Sequence, residues 1–144
     1  MIDIENYVFT QVKNAVLAAY PNAEVNSSIV ETASEFPCVT FIEADNSTYI
    51  RSLDDSPTEH HANLMYECNV YANDANRKAT AKAIAEIVDI TMQGMKFTRT
   101  FKDAIPNQDR SIFRITLRYK GIVGEGVETT AEGVTTTAHQ MYRE

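Results

Sequence analysis

Between Phe113 and Lys120 the side chains alternate without interruption: Phe113, Ile115, Leu117 and Tyr119 are apolar, and Arg114, Thr116, Arg118 and Lys120 are polar or charged. A period of two puts the first set on one side of an extended strand and the second on the other. The chain therefore has to build a sheet with one covered face and one wet face.

The remaining periodicities supply the cover. Ile4, Tyr7, Val8, Val12, Ala15, Val16 and Ala19 recur at helical steps, predicting a helix over 3–20 that Pro21 stops. Asp3 is the expected N-cap, with Ile2 and Tyr7 spaced as a hydrophobic staple. Residues 24–30 and 38–44 read as strands, the second carrying Val39, Phe41 and Ile42 after Pro37. A polar, aperiodic loop is expected over 46–61, in which Tyr49, Ile50 and Leu53 are available to pack. Alternation returns at 62–71, where Leu64, Tyr66, Cys68 and Val70 share a face. Asn73-Asp74 then offers a turn and N-cap to a second helix striped by Ile84, Ile87, Val88 and Met92, with Gly94 placed as its C-terminal cap. In 95–104, Phe97 and Phe101 share a strand face with Arg99 between them, and a turn at 105–109 leads into the alternating strand. Strands in a run, not in strict alternation with helices, predict an α+β fold: a mainly antiparallel sheet with two helices packed on one face. The Gly- and Thr-rich sequence after Gly121 predicts an extended C-terminal arm, dividing the chain into a domain over 1–122 and a flexible arm over 123–144.

Composition narrows the function. The 144 residues carry 20 acids and 13 Lys or Arg, a net charge of −7, which disfavours a nonspecific coat for nucleic acid. No apolar run approaches the roughly 18 residues of a membrane span, and the first residues lack the basic and apolar regions of a signal peptide. A soluble cytosolic domain is expected. Cys38 and Cys68 are too few and too far apart for a disulfide scaffold or zinc knuckle, and read as buried, reduced thiols. His60 and His61 are adjacent, so their side chains diverge, and no ligand set completes a metal site around them. Asp54, Asp55 and Glu59 lack calcium-loop spacing and read as a solvated acidic turn. No phosphate-binding loop, nucleophile elbow or zinc-protease motif is present, so neither an enzyme nor a cofactor is expected.

The polar face of the alternating strand is the strongest candidate surface. Arg114, Arg118 and Lys120, beside Arg99, suit phosphates or an acidic protein surface; as a plain sheet edge, the same charge discourages aggregation. Sheets that read RNA expose base-stacking aromatics, and the polar positions of this strand hold none, which favours a protein partner. Charge is also divided along the chain. Residues 1–76 have twelve acids against two bases, a balance of −10; residues 77–123 have ten bases against four acids, +6; the arm carries −3. Oppositely charged sides suit head-to-tail packing, which closes into rings. On the acidic side Glu43, Asp45, Asp54, Asp55 and Glu59, with Tyr49 in the same loop, are the candidate counterparts.

Taken together, the helix opening at Ile2-Asp3-Ile4, the long polar loop over 46–61, the strand Leu64–Tyr71 feeding an Ala-rich helix, and the closing strand Phe113–Gly121 give a layout that resembles the tail-terminator (tail-completion) proteins of long-tailed bacteriophages. The resemblance implies a hexameric ring that caps the tail tube, stops its polymerisation and joins it to the head connector. It implies self-association, a tail-tube protein and a head-connector protein as partners, with genomic DNA passing through the ring without specific binding. Location in the tail-neck region of a virion, after assembly in the host cytoplasm, follows from the same likeness, and no membrane, cofactor or catalytic residue does. The alternatives are another head–tail joining or tail-tube component, a nucleic-acid-binding α+β module using the basic strand, and a small enzyme whose residues converge from distant positions.

Overall fold

The computed structural model describes residues 3–28, 35–48, 61–106, 109–129 and 135–142. Helix α1 (Glu5–Ala19) is followed by strands β1 (Glu24–Asn26), β2 (Cys38–Thr48) and β3 (His61–Ala72), helix α2 (Arg77–Gly94), and strands β4 (Thr98–Ala104), β5 (Phe113–Thr129) and β6 (Thr135–Tyr142). The strands form one sheet in the order β1-β2-β3-β5-β4, with β6 also paired to β5. Only β1 and β2 run parallel; every other pairing is antiparallel. This is the α+β architecture that the alternation and the two helical stripes predict.

The core lies between the helices and one face of the sheet. Helix α1 buries Val8, Val12 and Val16, and α2 buries Ala81, Ile84, Ala85, Val88 and Met92. The sheet answers with Val39 and Phe41, with Leu64, Tyr66, Cys68 and Val70, and with Ile115, Leu117, Tyr119 and Val123. Phe41 stacks on Tyr66 at 5.2 Å between centroids, and Phe97 meets the same ring edge-on at 5.4 Å. Each large side chain so buried contributes about 1.5–3 kcal/mol.

Local chemistry differs from expectation at the helix ends. Ile4, not Asp3, occupies the N-cap of α1; Asp3 Oδ1 instead accepts the Glu5 N–H at 3.1 Å. Ile2 lies outside the described residues, and Tyr7 is 59% exposed, so it does not close against the core. Asn76 is the N-cap of α2, while Asp74 accepts the Thr80 hydroxyl at 2.9 Å. At the other end Gly94 is still helical and Lys96 takes the left-handed turn, with φ 70°. The Phe97 N–H bonds the Met92 carbonyl at 3.1 Å and the Lys96 N–H bonds the Gln93 carbonyl at 2.9 Å, a Schellman ending. Met92 and Phe97 are both fully buried, which holds Lys96 in a conformation that glycine would adopt freely.

Two bulges correct the expected strand faces. In β2 the register shifts between Glu43 and Asp45, so Glu43 faces the helices and Asp45 the open side. In β4 it shifts between Arg99 and Phe101. Arg99 therefore pairs with core-facing Tyr119, and Phe101 with outward-facing Arg118; Phe97 and Phe101 do not share a face. The loop expected over 46–61 is also shorter at both ends, because β2 runs to Thr48 and β3 starts at His61.

Strand β5 organises the rest. Phe113–Gly124 pair with β3; on the other side Ile115–Lys120 pair with β4 and Ile122–Thr129 with β6. Residues 122–124 have β3 on one side and β6 on the other, so β6 continues the edge that β4 begins. From Glu125 onward β6 is the only described partner of β5. Within β5, residues 123–129 pair with 135–141 of β6 in antiparallel register.

Candidate subunit interface

The face of the sheet away from the helices is set by cross-strand register. Lys120 stands between Met65 and Thr98, Arg118 between Glu67 and Phe101, and Thr116 between Asn69 and Asp103; Arg114 is opposite Tyr71. β2 extends these rows with Asp45, Ile42 and Thr40. The expected basic face therefore also carries Asp45, Glu67 and Asp103, with Glu24 of β1 at the end of the Arg114 row, so acids at least match its three bases.

Two of its arginines are engaged within the chain. Arg114 donates to Asn69 Oδ1 through Nε at 3.1 Å and Nη2 at 2.9 Å, and its guanidinium lies 5.6 Å from the Tyr71 ring centre. The Thr116 hydroxyl donates to the same Asn69 oxygen at 2.7 Å, in a site where Asn69 and Thr116 are buried. Arg118 sits 3.4 Å from Glu67 Oε1 and 5.0 Å from the Phe101 ring centre, with about half its side chain (49%) exposed. Surface pairs of that kind contribute about 0–1 kcal/mol.

Arg99 is not on this face at all. The β4 bulge turns it to the helix side, where Nη1 meets Asp89 Oδ1 at 3.0 Å. Buried Asp89 also accepts the Tyr119 hydroxyl at 2.8 Å and Gln93 Nε2 at 2.8 Å. One carboxylate of α2 thereby ties β4 and β5 to the helix layer. Burial, then the Asp89 carboxylate, pushes the Tyr119 phenol well above its ordinary range.

A second bond from a buried tyrosine to a carboxylate ties β3 to β2 near the start of α1. The Tyr66 hydroxyl donates to Glu43 Oε1 at 3.1 Å, and ligand atoms of Asp3, Glu5 and Glu43 all lie within 4.8 Å of one another. Burial raises the Glu43 carboxyl above its ordinary value; the Tyr66 bond opposes that, while the charges of Glu5 and Asp3 reinforce it. No catalytic set is evident among the described residues. Cys38 and Cys68 are buried free thiols, and burial pushes Cys38 up to about 11, so it is not poised as a nucleophile.

Of the remaining candidates, Asp45 is exposed beside the bulge, and Tyr49, Asp54, Asp55 and Glu59 lie outside the described residues, as does His60. Reading the strand alone missed Asn69 and Glu67, because only the β3–β5 register identifies them as the arginines' partners. It also missed a shallow basic depression at the start of α2, lined by Arg77, Lys78, Lys82 and Phe113. Three bases at closely spaced helical positions were a usable signal for it.

No family model and no curated protein matches the chain. Among solved structures, a chain of the virion of a native gene transfer agent (GTA) particle is similar, with a TM-score of 0.58 over 78% of this chain and 88% of that one, at 20% sequence identity. At that identity the likeness establishes a common fold.

Proposed function

We propose that the chain is a structural virion component that assembles into a ring as phage tail terminators do, capping the tail tube, stopping its polymerisation and joining it to the head connector. The observation that carries this reading is the fold shared with a GTA virion chain over most of both molecules. The sequence layout, which resembles tail terminators, supports the finer role, and the division of charge along the chain supports head-to-tail packing of subunits. Tail tube, head connector and further copies of the chain are the proposed partners, with the virion neck as the location.

A nucleic-acid module receives less support. The open face does offer two aromatic rings, Tyr71 and Phe101, but an arginine lies over each, and acids match the bases around them. A tube subunit or another joining protein would share the fold likeness, and differs in how assembly ends. Purified protein imaged by negative stain, with mass measured in solution, separates these readings. Discrete annuli of one subunit number support a terminator; open-ended tubes support a tube subunit. A monomer at all concentrations overturns the ring.

A further inference from the structure

Tyr7 is a large ring that the fold leaves in solvent at the start of α1. Acids surround it. Asp3 and Glu5 line the same shallow depression, and a carboxylate oxygen of Glu43 in β2 lies within 4.8 Å of both. No base pairs with these three acids among the described residues, and the charges of Glu5 and Asp3 both push the Glu43 carboxyl up. Within one chain the cluster repels itself.

The converse surface lies at the start of α2. Half-buried Phe113 sits in a depression lined by Arg77, Lys78 and Lys82. Lys78 and Lys82 are exposed and have no ion-pair partner among the described residues. The first turn of α2 holds no acid, and nearby Asp74 is engaged by Thr80.

Sheet register places the two surfaces at opposite ends of the helix layer. Glu43 is level with Tyr66 and Tyr119, and Phe113 is level with Ala72. Six residues of β5 lead from Phe113 to Tyr119, about 20 Å at the usual rise of about 3.3 Å per residue, and β2 stands two strands away from β5. Side chains do not bridge that gap, so the two surfaces meet only between molecules. They also match in kind as well as in sign: each sets an aromatic ring among charges, and an aromatic anchor inside a polar rim is the anatomy of a protein–protein contact.

We infer that the start of α1 in one copy docks in the depression at the start of α2 in the next, with Tyr7 against Phe113 and Asp3 and Glu5 facing Lys78 and Lys82. The occupant is a second copy of this chain. Two different surfaces meet, so the contact is heterologous and repeats around a closed ring. The inference rests on the ring reading and adds to it the surfaces that join.

Three full-length variants test it. Lys78→Glu/Lys82→Glu makes both surfaces acidic, Asp3→Lys/Glu5→Lys makes both basic, and Tyr7→Ala removes the ring while leaving the charges. Each alone is expected to weaken association in low salt about tenfold or more, the scale of losing an aromatic anchor or several close charge pairs. The two charge variants mixed in equal amounts are expected to assemble again, alternating, because each α1 start then finds a depression of opposite sign. Tyr7 is exposed in the subunit, so Tyr7→Ala should melt as the wild type does, and its loss of assembly is a loss of contact. Wild-type-like assembly of the Tyr7 variant or of either charge variant alone, or a mixture that stays dissociated, overturns this contact while leaving the ring intact. A wild-type chain that never assembles removes both.

Discussion

Arg114 and Arg118 sit two residues apart on one strand, yet their neighbours give them different roles. Asn69 presents Arg114 with a carbonyl oxygen that already accepts the Thr116 hydroxyl in a buried site. Arg114→Glu removes the charge-assisted bonds to that oxygen and aims a carboxylate at it; the expected cost in urea denaturation is about 1.5–3 kcal/mol, the worth of a hydrogen bond to a charged group. Arg118→Glu meets Glu67 at a half-exposed position and should cost no more than about 1 kcal/mol. Equal costs for the two would mean that the Asn69 site does not hold Arg114. Glu43 gives a pH signature instead. Its carboxyl is raised from 4.5 in the fold, so the folded state favours the protonated form. The stability it contributes is present below pH 4.5 and is lost as pH rises through the folded value. Glu43→Gln keeps an acceptor for Tyr66 and removes that titration. The difference in urea midpoint between variant and wild type should therefore grow in the variant's favour from pH 4.5 upward, and a pH-independent difference would refute the assignment.

At the scale of elements, the sequence is most legible where a regular period survives in the structure. Ile115–Lys120 and Leu64–Val70 keep a strict alternation because each lies between two strands over those residues, with helices on one side only. Leu117, fully buried at the centre of β5, is expected to cost about 2–5 kcal/mol as Leu117→Ala. Legibility ends at the bulges. A single extra residue at Ala44 or Thr100 reverses every later face, and neither site carries the Gly or Pro that would announce it. For that reason Arg99, read as part of the open basic surface, belongs to the Asp89–Tyr119 clamp, and Phe101 is found under Arg118. Helix ends misled differently: Gly94 has the right chemistry for a cap, but burial of Met92 and Phe97 fixes the turn at Lys96. Lys96→Gly is expected to raise stability by about 0.5–1 kcal/mol, relief of left-handed strain less the extra freedom glycine gives the unfolded chain. A loss of stability on thermal or urea melting would show that the lysine side chain contributes more than the turn costs.

Across the whole molecule, β5 joins a stretch flanked by two strands to one whose described partner is β6, and this makes a dynamic difference measurable along a single strand. Amides of Ile115–Tyr119 lie between β3 and β4 under the helix layer, so they should exchange hydrogen only on global unfolding. Among the described residues, β5 beyond Gly124 pairs with β6 alone, and α2 is the helix in contact with β5 while neither helix makes more than marginal contact with β6. A two-stranded ribbon is at best marginally stable in water. In the free subunit, amides of 125–129 and 135–142 should thus show protection factors of about ten or less, against about a thousand or more at the centre of β5. Assembly should change this selectively: if these residues settle on a neighbouring subunit they give up conformational entropy for a new surface, and their exchange should slow while the centre of β5 is unchanged. Raised salt screens exposed charges beyond roughly 8 Å, so the slowing should fade with the same salt dependence as assembly itself. Hydrogen exchange by mass spectrometry on free and assembled protein reads both regions at once. Identical exchange of residues 125–129 and 135–142 in the two states would take them out of the interface.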